Sequence, residues 1–257
     1  MRLFSANLGF LWTDRPLPDA IRAAKAAGFD AVECHWPYLV PAEHVKQALD
    51  ETGLPLLGLN TSRGNVEAGQ NGLSAVPGCE EAAKAAVDEA LKYAEVVGAR
   101  SVHVMAGFAE GDAAHDCFLA TLRYACDAAA QIGVQILVEP LNRHDAPGYF
   151  LKTTDQAQHI ISQIGVSNLK LMFDCYHVGR NEGDVISRLS NLLPIVGHIQ
   201  FASVPDRGPP DHGELDYRFL FDAIEALGWT QPLGAEYKPV DQTDASLAWM
   251  DAFGIRD

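Results

Sequence analysis

The chain has 257 residues, of which 48% are hydrophobic and 21% charged, and its net charge is −15. This composition predicts a globular protein with a large core, and no apolar run approaches the roughly 18 residues that a membrane span needs. The acidic balance argues against nucleic-acid and anionic-membrane binding, because proteins that bind phosphates use basic surfaces.

The chain begins with a predicted strand. The first residues, MRLFSANLGF, lack the basic-then-apolar order of a signal peptide, so we expect a cytoplasmic protein. The five cysteines agree with that compartment, because their number is odd and no CxxC pair occurs. They predict free thiols and argue against a disulfide framework or a zinc knuckle.

A repeated pattern follows along the chain: an Ala-rich amphipathic helix, a glycine, then a β-rich run. The predicted helices end at Gly28, Gly53, Gly98, Gly133, Gly165 and Gly228. Glycine just past a helix end adopts the left-handed conformation without steric cost, so each of these residues is a stop signal. Pro194 similarly separates LSNLL from IVGHIQ.

The pattern predicts eight strands with a helix after each, the last helix being ASLAWMDAF. The strands lie near residues 2–8, 31–36, 55–61, 101–106, 135–142, 169–175, 196–202 and 232–238. Alternating strands and helices predict a parallel sheet with crossovers. Eight units in this length favour a closed (β/α)₈ TIM barrel that forms one domain over 1–257. An open sheet would more often carry a glycine-rich nucleotide loop, and neither GxGxxG nor GxxxxGK[ST] occurs.

In such a barrel the chemistry lies at the C-terminal ends of the strands. Four consecutive strands end in polar residues that apolar packing does not explain: Glu139 in ILVEPLN, Asp174 in LKLMFDCYH, Gln200 in VGHIQFA and Glu236 in PLGAEYKP. Any one alone is read equally well as a salt-bridged residue at the rim. Together, their carboxylates would repel one another unless protons or a cation compensate. The all-oxygen set suits Mg²⁺ or Mn²⁺, so we expect a divalent metal site.

Several histidines lie near these strand ends. His177 would ligate the metal, contact substrate or cap a helix, and we favour substrate contact because four oxygen groups already supply a ligand set. His103 either points into the barrel or is a hydrogen-bonded core histidine. His198 faces the same side as Gln200, deeper in the barrel, and is a candidate supporting partner. By default, surface or loop positions are expected for His35, His44, His115 and His159.

Two cations are candidates for substrate binding. Arg207 is the only one in ASVPDRGPPDHGELDY, and it is read either as a solvated loop charge or as a clamp on a substrate carboxylate or hydroxyl. Lys238 is two residues beyond Glu236 and is expected to face the same way, with a surface ion pair as the alternative. The other long Gly-rich loop, residues 62–78, is expected to cover the mouth of the barrel.

These motifs resemble the sugar-isomerase-like barrels grouped with xylose isomerase and endonuclease IV, and more narrowly the hydroxypyruvate isomerase family. The matching pieces run in order from residue 2 to 239: RLFSANLGF, GLSAVPG, VHVMAG, VEPLNRHDAPGYFL, FDCYHVGRNEGD, HIQFASVPDRGPPDHGELDY and GAEYKP. The last four pieces are specific to this family, whereas the shorter pieces alone would be weak evidence for the resemblance.

The resemblance implies a role for each matching residue. Glu139 and Glu236 match the family's acid–base glutamate pair, and Asp174 and Gln200 match its other metal positions. In the related ketose 3-epimerases the third ligand is usually His, so Gln200 favours the isomerase branch. The substrate-contacting positions of such enzymes are matched by His177 and Arg207.

The implied reaction is metal-assisted proton transfer through an enediolate, converting hydroxypyruvate to tartronate semialdehyde. A small keto acid or sugar is therefore the expected ligand. The alternatives are a 2-oxo-tetronate isomerase and a ketose 3-epimerase. A zinc nuclease would need more histidine ligands and a basic face, and a non-catalytic sugar-binding barrel leaves the glutamate pair unexplained. The tryptophans fit either the core or a subunit interface, which leaves a homo-oligomer open: Trp12, Trp36, Trp229 and Trp249.

Overall fold

A computed structural model describes residues 2–253 and contains the eight predicted strands. The strands are β1 (Phe4–Asn7), β2 (Ala31–Glu33), β3 (Gly58–Asn60), β4 (Ser101–His103), β5 (Gln135–Val138), β6 (Leu169–Asp174), β7 (Val196–Phe201) and β8 (Leu233–Ala235). All eight are shorter than predicted. β5, for example, ends before Glu139 and Pro140, where proline has no N–H to continue the ladder.

Helices follow the strands on the outside of the sheet. The α-helices are α1 (Leu17–Ala26), α2 (Ala42–Thr52), α3 (Glu80–Val97), α4 (Gly111–Ala130), α5 (Thr154–Ile164), α6 (Cys175–Asn181), α7 (Val185–Leu192), α8 (Tyr217–Ala226) and α9 (Ala248–Ala252). Short 3₁₀ helices precede β7 at Leu193–Ile195 and α9 at Thr243–Leu247. The predicted glycine stops are confirmed, since all six glycines have positive φ, from 67° at Gly133 to 91° at Gly28.

The strands form one parallel sheet in the order β2-β1-β8-β7-β6-β5-β4-β3. Its two ends meet, because Val32 forms a parallel bridge with Leu56. The Val32 N–H donates to the Pro55 carbonyl oxygen at 3.0 Å, and the Leu57 N–H donates to the Val32 carbonyl oxygen at 2.8 Å. The predicted (β/α)₈ barrel is therefore confirmed.

An aromatic cluster packs the barrel against its last helices. Phe4 meets Phe221 and Trp249 edge-to-face, each with ring centroids 5.4 Å apart. Trp12 and Trp249 are buried and belong to the core, whereas Trp36 and Trp229 are partly exposed. All five cysteines are free. Within residues 2–253 no helix is both long and apolar enough to cross a membrane.

The loop of residues 62–78 lies at the C-terminal side of the barrel, next to the segment that follows β4. Gly72 forms an antiparallel bridge with Ala106, and the Ala75 N–H donates to the Ala106 carbonyl oxygen at 2.7 Å. The Arg63 guanidinium lies over the Trp36 ring at 4.1 Å from its centroid. This position is compatible with a cover over the mouth, which stays a prediction.

Candidate active site

The four predicted strand-end residues lie at one end of the barrel and are buried. Glu139 directly follows β5, Asp174 ends β6, Gln200 lies in β7, and Glu236 directly follows β8. Asp174 and Gln200 are register partners on neighbouring strands. Parallel strands therefore place these side chains at a single level, as their sequence positions predict.

A tight group of potential ligands forms there. Glu139, Asp174, His177 and Glu236 each offer an atom, and these atoms lie within 4.8 Å of one another. Several buried polar atoms of this group have no hydrogen-bond partner among residues 2–253: Glu139 Oε1, Asp174 Oδ2 and His177 Nε2. Buried polar atoms without partners are costly, so the convergence of these three atoms indicates a ligand-binding position.

Gln200 contributes a further orphaned oxygen. Its Oε1 is buried without a partner in the described part of the chain, whereas its Nε2 donates to Glu33 Oε2 at 2.7 Å. Gln200 lines a cavity of about 10 Å³ together with Glu139 and Glu236. The amide carbonyl therefore belongs to the same buried polar region as the carboxylates.

Donors surround the carboxylate of Glu236. Its Oε1 accepts a hydrogen bond from Asn7 Nδ2 at 3.0 Å and lies 2.9 Å from His35 Nε2, and its Oε2 pairs with the Arg207 guanidinium. Burial raises the pKa of Glu236, but Arg207 and the hydrogen bond from His35 outweigh it and lower that pKa overall. Glu236 is therefore held in its ionised form.

Glu139 lies in a different environment. Burial, reinforced by the charges of Glu236 and Asp174, raises its pKa well above the usual range. Burial likewise raises the pKa of Asp174 to about 7, against the lowering effect of Arg207. Two neighbouring glutamates with opposite pKa shifts are the arrangement that acid–base chemistry requires.

His177 has a defined tautomer. Its Nδ1 accepts from the Asn142 backbone N–H at 3.0 Å and lies 2.8 Å from Asn142 Nδ2. Since a backbone N–H can only donate, the ring proton is assigned to Nε2. Nε2 lies 3.6 Å from Asp174 Oδ2 and 3.8 Å from Glu139 Oε1. Burial and Arg207 lower the pKa of His177 to about 3, so the ring is neutral.

The two predicted cations lie in different places. The Arg207 guanidinium lies among carboxylates, paired with Glu236 and 3.7 Å from Asp174 Oδ2, between the rings of Phe10 and Tyr176. Lys238 is exposed, and its backbone N–H donates to the Arg207 carbonyl oxygen at 2.7 Å. β8 ends at Ala235, so the strand alternation used to place Lys238 beside Glu236 does not reach it.

The other histidines divide between the site and the surface. His103 is buried with Nδ1 3.6 Å from Glu139 Oε2, and burial lowers its pKa to about 4. His198 Nε2 lies 3.1 Å from Glu33 Oε2, so it reaches Gln200 through this carboxylate. His35 lies in the loop that follows β2, and its Nε2 is 2.9 Å from Glu236 Oε1, so it belongs to the site. Three others lie on α2, α4 and α5: His44, His115 and His159.

Three polar residues of this region were not predicted: Asn7 and Glu33, which are buried, and His35, which is partly buried. Asn7 ends β1 and Glu33 ends β2, so the strand-end signal used for the later strands was present in FSAN and AVE. Applied to all eight strands, the same criterion finds both. His35 carries a weaker signal, since it lies two residues past the end of β2.

The side chains present suit a divalent metal ion. The orphaned oxygens belong to Glu139, Asp174 and Gln200, and Glu236 adds a further carboxylate. Carboxylate and amide oxygens are the ligands that Mg²⁺ and Mn²⁺ prefer. His177 is the nitrogen member of the group, and its tautomer directs a proton, not a lone pair, at the site.

Known proteins resemble this chain over nearly its full length. The model of the xylose isomerase-like TIM barrel family matches residues 21–253. A 2-oxo-tetronate isomerase from Cupriavidus necator is 41% identical, with 98% of this chain and 99% of the relative covered. A hydroxypyruvate isomerase from Escherichia coli is 34% identical, with 98% of this chain and 100% of the relative covered.

A solved structure agrees with this assignment. The crystal structure described as an AP endonuclease, family 2, from Brucella melitensis superimposes with a TM-score of 0.95 at 35% identity, and both chains are covered completely. The resemblance deduced from the motifs is confirmed: the chain belongs to the xylose isomerase-like TIM barrel family, in the group of the hydroxypyruvate and 2-oxo-tetronate isomerases.

Proposed function

We propose that this protein isomerises a small 2-oxo acid that carries a hydroxyl at C3, with hydroxypyruvate as the first candidate. The observation that carries the proposal is the pairing of Glu139 and Glu236, whose ligand atoms lie within 4.8 Å of each other in one buried group. Their pKa values are shifted in opposite directions. One glutamate can therefore remove a proton while the other holds one to return.

The reaction moves a hydrogen between neighbouring carbons. A proton leaves C3 of hydroxypyruvate, and the C3–H electrons form the C2–C3 double bond of an enediolate. A proton then returns to C2, the C2 oxygen gains a proton, and the C3 hydroxyl loses its proton as its oxygen becomes the carbonyl oxygen, which gives tartronate semialdehyde. Glu139 and Glu236 exchange these protons, and no oxidant is needed because the atoms and electrons balance within the substrate.

A Mg²⁺ or Mn²⁺ ion would be held by Glu139, Asp174, Gln200 and Glu236. When bound, the ion would acidify the C–H next to the ketone and offset the negative charge of the enediolate. The protein itself supplies a dry and preorganised site, because burial excludes water from the carboxylates and the barrel strands fix their positions.

His177 and Arg207 are the proposed substrate contacts. His177 Nε2–H is a neutral donor aimed into the group, which suits a hydrogen bond to a substrate oxygen. Arg207 is the cation beside Glu236, and its planar guanidinium suits a carboxylate. His103 is proposed as a further polar contact, since both of its ring nitrogens are buried without a partner within residues 2–253. We assign no contact to the exposed Lys238.

A 2-oxo-tetronate is the second candidate substrate. The observation that favours it is the 41% identity to the 2-oxo-tetronate isomerase of C. necator. C3 of 2-oxo-tetronate also bears a hydroxyl and a hydrogen, so the same proton transfer would move the ketone from C2 to C3. A nuclease activity is disfavoured, because the net charge of −15 repels a phosphate backbone.

Proton exchange in D₂O tests the proposal. Hydroxypyruvate and 2-oxo-tetronate are incubated separately with the protein, with Mn²⁺ or with a chelator, and the C3 protons are followed by NMR. We expect metal-dependent exchange and formation of the isomer, both lost in Glu139→Gln and Glu236→Gln. Glu95→Gln is the matched control, because Glu95 is an exposed carboxylate on α3. Absence of exchange with both substrates would overturn the proposal.

A further inference from the structure

A fourth buried carboxylate, Glu33, lies beside the metal-binding group without belonging to it. It ends β2 inside the barrel and is 3% exposed. It accepts hydrogen bonds from Ser5 Oγ at 2.8 Å and from Gln200 Nε2 at 2.7 Å, and His198 Nε2 lies 3.1 Å away. A buried carboxylate with this many donors is well satisfied, so Glu33 needs no metal of its own.

The contact with Glu33 orients the side-chain amide of Gln200. The two ends of an amide are nearly the same size, so packing alone does not decide which end faces which way. A carboxylate only accepts hydrogen bonds, so it selects the NH₂ end of the amide. The Gln200 Oε1 is thereby turned away from Glu33, and it is buried without a partner in the described residues.

The backbone of β8 leaves room for this arrangement. A Cβ atom on Gly234 would lie 2.4 Å from Glu33 Oε1, 2.8 Å from Gln200 Cγ and 2.9 Å from His198 Nε2. The φ of Gly234 is not in the left-handed region, so its requirement for glycine is space alone. The absence of a side chain at Gly234 therefore leaves the space beside β8 in which these three side chains meet.

We propose that Glu33 is a positioning residue that fixes the Gln200 amide with its carbonyl oxygen toward the divalent-cation site. This inference rests on the metal site of the proposed function. It explains why an amide serves at this position, since an unrestrained amide would present its NH₂ group to the cation in part of the population. The competing explanation is a buried Glu33–His198 pair that serves only the stability of the barrel.

The test measures Mn²⁺ affinity from the EPR signal of free Mn²⁺, in the absence of substrate. Glu33→Gln keeps the shape of the side chain but removes its preference for the NH₂ end of the Gln200 amide, because two amides pair in either orientation. Loss of such an outer partner typically weakens metal binding by about 10- to 100-fold, and we expect a loss in this range. Ser5→Ala is the matched control, since it removes a donor to Glu33 but keeps the Gln200 contact. We expect it to change the affinity by less than about threefold.

A double variant that exchanges the two side chains tests for rescue of the Mn²⁺ affinity. In Glu33→Gln with Gln200→Glu, the residue at 33 donates and the carboxylate at 200 accepts, so an oxygen again faces the cation and the summed charge is conserved. We expect this double variant to recover most of the Mn²⁺ affinity. Tighter Mn²⁺ binding by the double variant than by Gln200→Glu alone is a result that a purely stabilising Glu33–His198 pair does not predict, because that pair is lost in the double variant and intact in Gln200→Glu.

The outcomes separate the two proposals. If the wild-type protein binds no Mn²⁺, the metal site of the proposed function is overturned, and this inference with it. If the wild type binds Mn²⁺ and folded Glu33→Gln binds it equally well, only the positioning role is overturned. Should Glu33→Gln not fold, the double variant is compared with Gln200→Glu alone: tighter Mn²⁺ binding by the double variant supports the role, and equal or weaker binding contradicts it.

Discussion

The backbone N–H of Asn142 donates to His177 Nδ1 at 3.0 Å, and this contact determines what His177 can do. The assigned proton lies on Nε2, which faces Asp174 and Glu139 at 3.6 and 3.8 Å. A metal ligand needs a lone pair on that nitrogen, whereas a hydrogen-bond donor needs the proton. The contact therefore favours substrate binding over metal binding for His177.

Replacing His177 should affect catalysis and metal binding differently. In His177→Asn the side chain still reaches Asn142 but has no donor at the Nε2 position, so we expect kcat/KM to fall by about 10²- to 10³-fold. His177→Gln places an amide N–H near that position and should recover part of the loss. Mn²⁺ affinity should be nearly unchanged in both variants, and a large loss in His177→Asn would identify the residue as a ligand.

Metal removal should destabilise the protein. Adding Mn²⁺ at about 100 times its Kd stabilises the native state by about 2.7 kcal/mol, provided that the unfolded chain does not bind it. For a chain of this size, that corresponds to a rise in Tm of roughly 5–10 °C. Differential scanning calorimetry with Mn²⁺ and with a chelator measures the shift.

The variant Asp174→Asn is the control for this Mn²⁺-dependent rise in Tm. An asparagine can still accept the Tyr176 N–H at the start of α6, as Asp174 Oδ1 does at 2.8 Å. The substitution removes one of three mutually repelling carboxylates, so we expect the metal-free variant to be at least as stable as the metal-free wild type. The Mn²⁺-dependent rise in Tm should be lost. An undiminished rise would place the ion elsewhere.

The barrel could be predicted from the sequence because its signals are local. Gly53 and Gly98 end their helices in the left-handed conformation, and apolar runs after them become strands. The strand-end positions of Glu139 and Asp174 follow from the same local pattern, since parallel strands bring their ends to one level. No long-range contact had to be known for either inference.

The remaining contacts depend on how distant segments meet. Arg207 pairs with Glu236 across 29 positions, and Glu33 meets Gln200 across 167, so neither pairing leaves a periodic trace in the sequence. His35 reaches Glu236 from a loop, where no strand alternation predicts its direction. Lys238 lies beyond Ala235, where β8 ends, so strand alternation does not fix the direction of its side chain either.

Gly234→Ala tests whether the space that Gly234 leaves beside β8 is required. The added methyl group would overlap Glu33 and Gln200, and overpacking of a buried region typically costs about 1–3 kcal/mol. We therefore expect a fall in Tm together with weaker Mn²⁺ binding. Gly53→Ala is the comparison, because a Cβ there has open space and meets only the penalty of a φ of 69°. It should lower Tm and leave Mn²⁺ affinity unchanged.

The loop that carries Arg207 should lose stability with rising pH. His212 Nδ1 lies 2.9 Å from Asp211 Oδ1, and its Nε2 lies 2.8 Å from Asp206 Oδ2. These hydrogen bonds raise the pKa of His212 above its usual value. A raised pKa in the folded state means that the stabilisation is complete below about pH 6.5, the unfolded value, and is lost as pH rises through the folded value.

His212→Asn should therefore lower Tm at about pH 5.5 and leave it unchanged at about pH 9. The imidazole side chain is 47% exposed, so solvent screening limits the effect to about 1 kcal/mol or less, roughly 2–4 °C at most. Calorimetry of both proteins across this range measures it. A difference in Tm that grew with pH would contradict the ion pairs, because deprotonated His212 has no charge for Asp206 and Asp211 to attract.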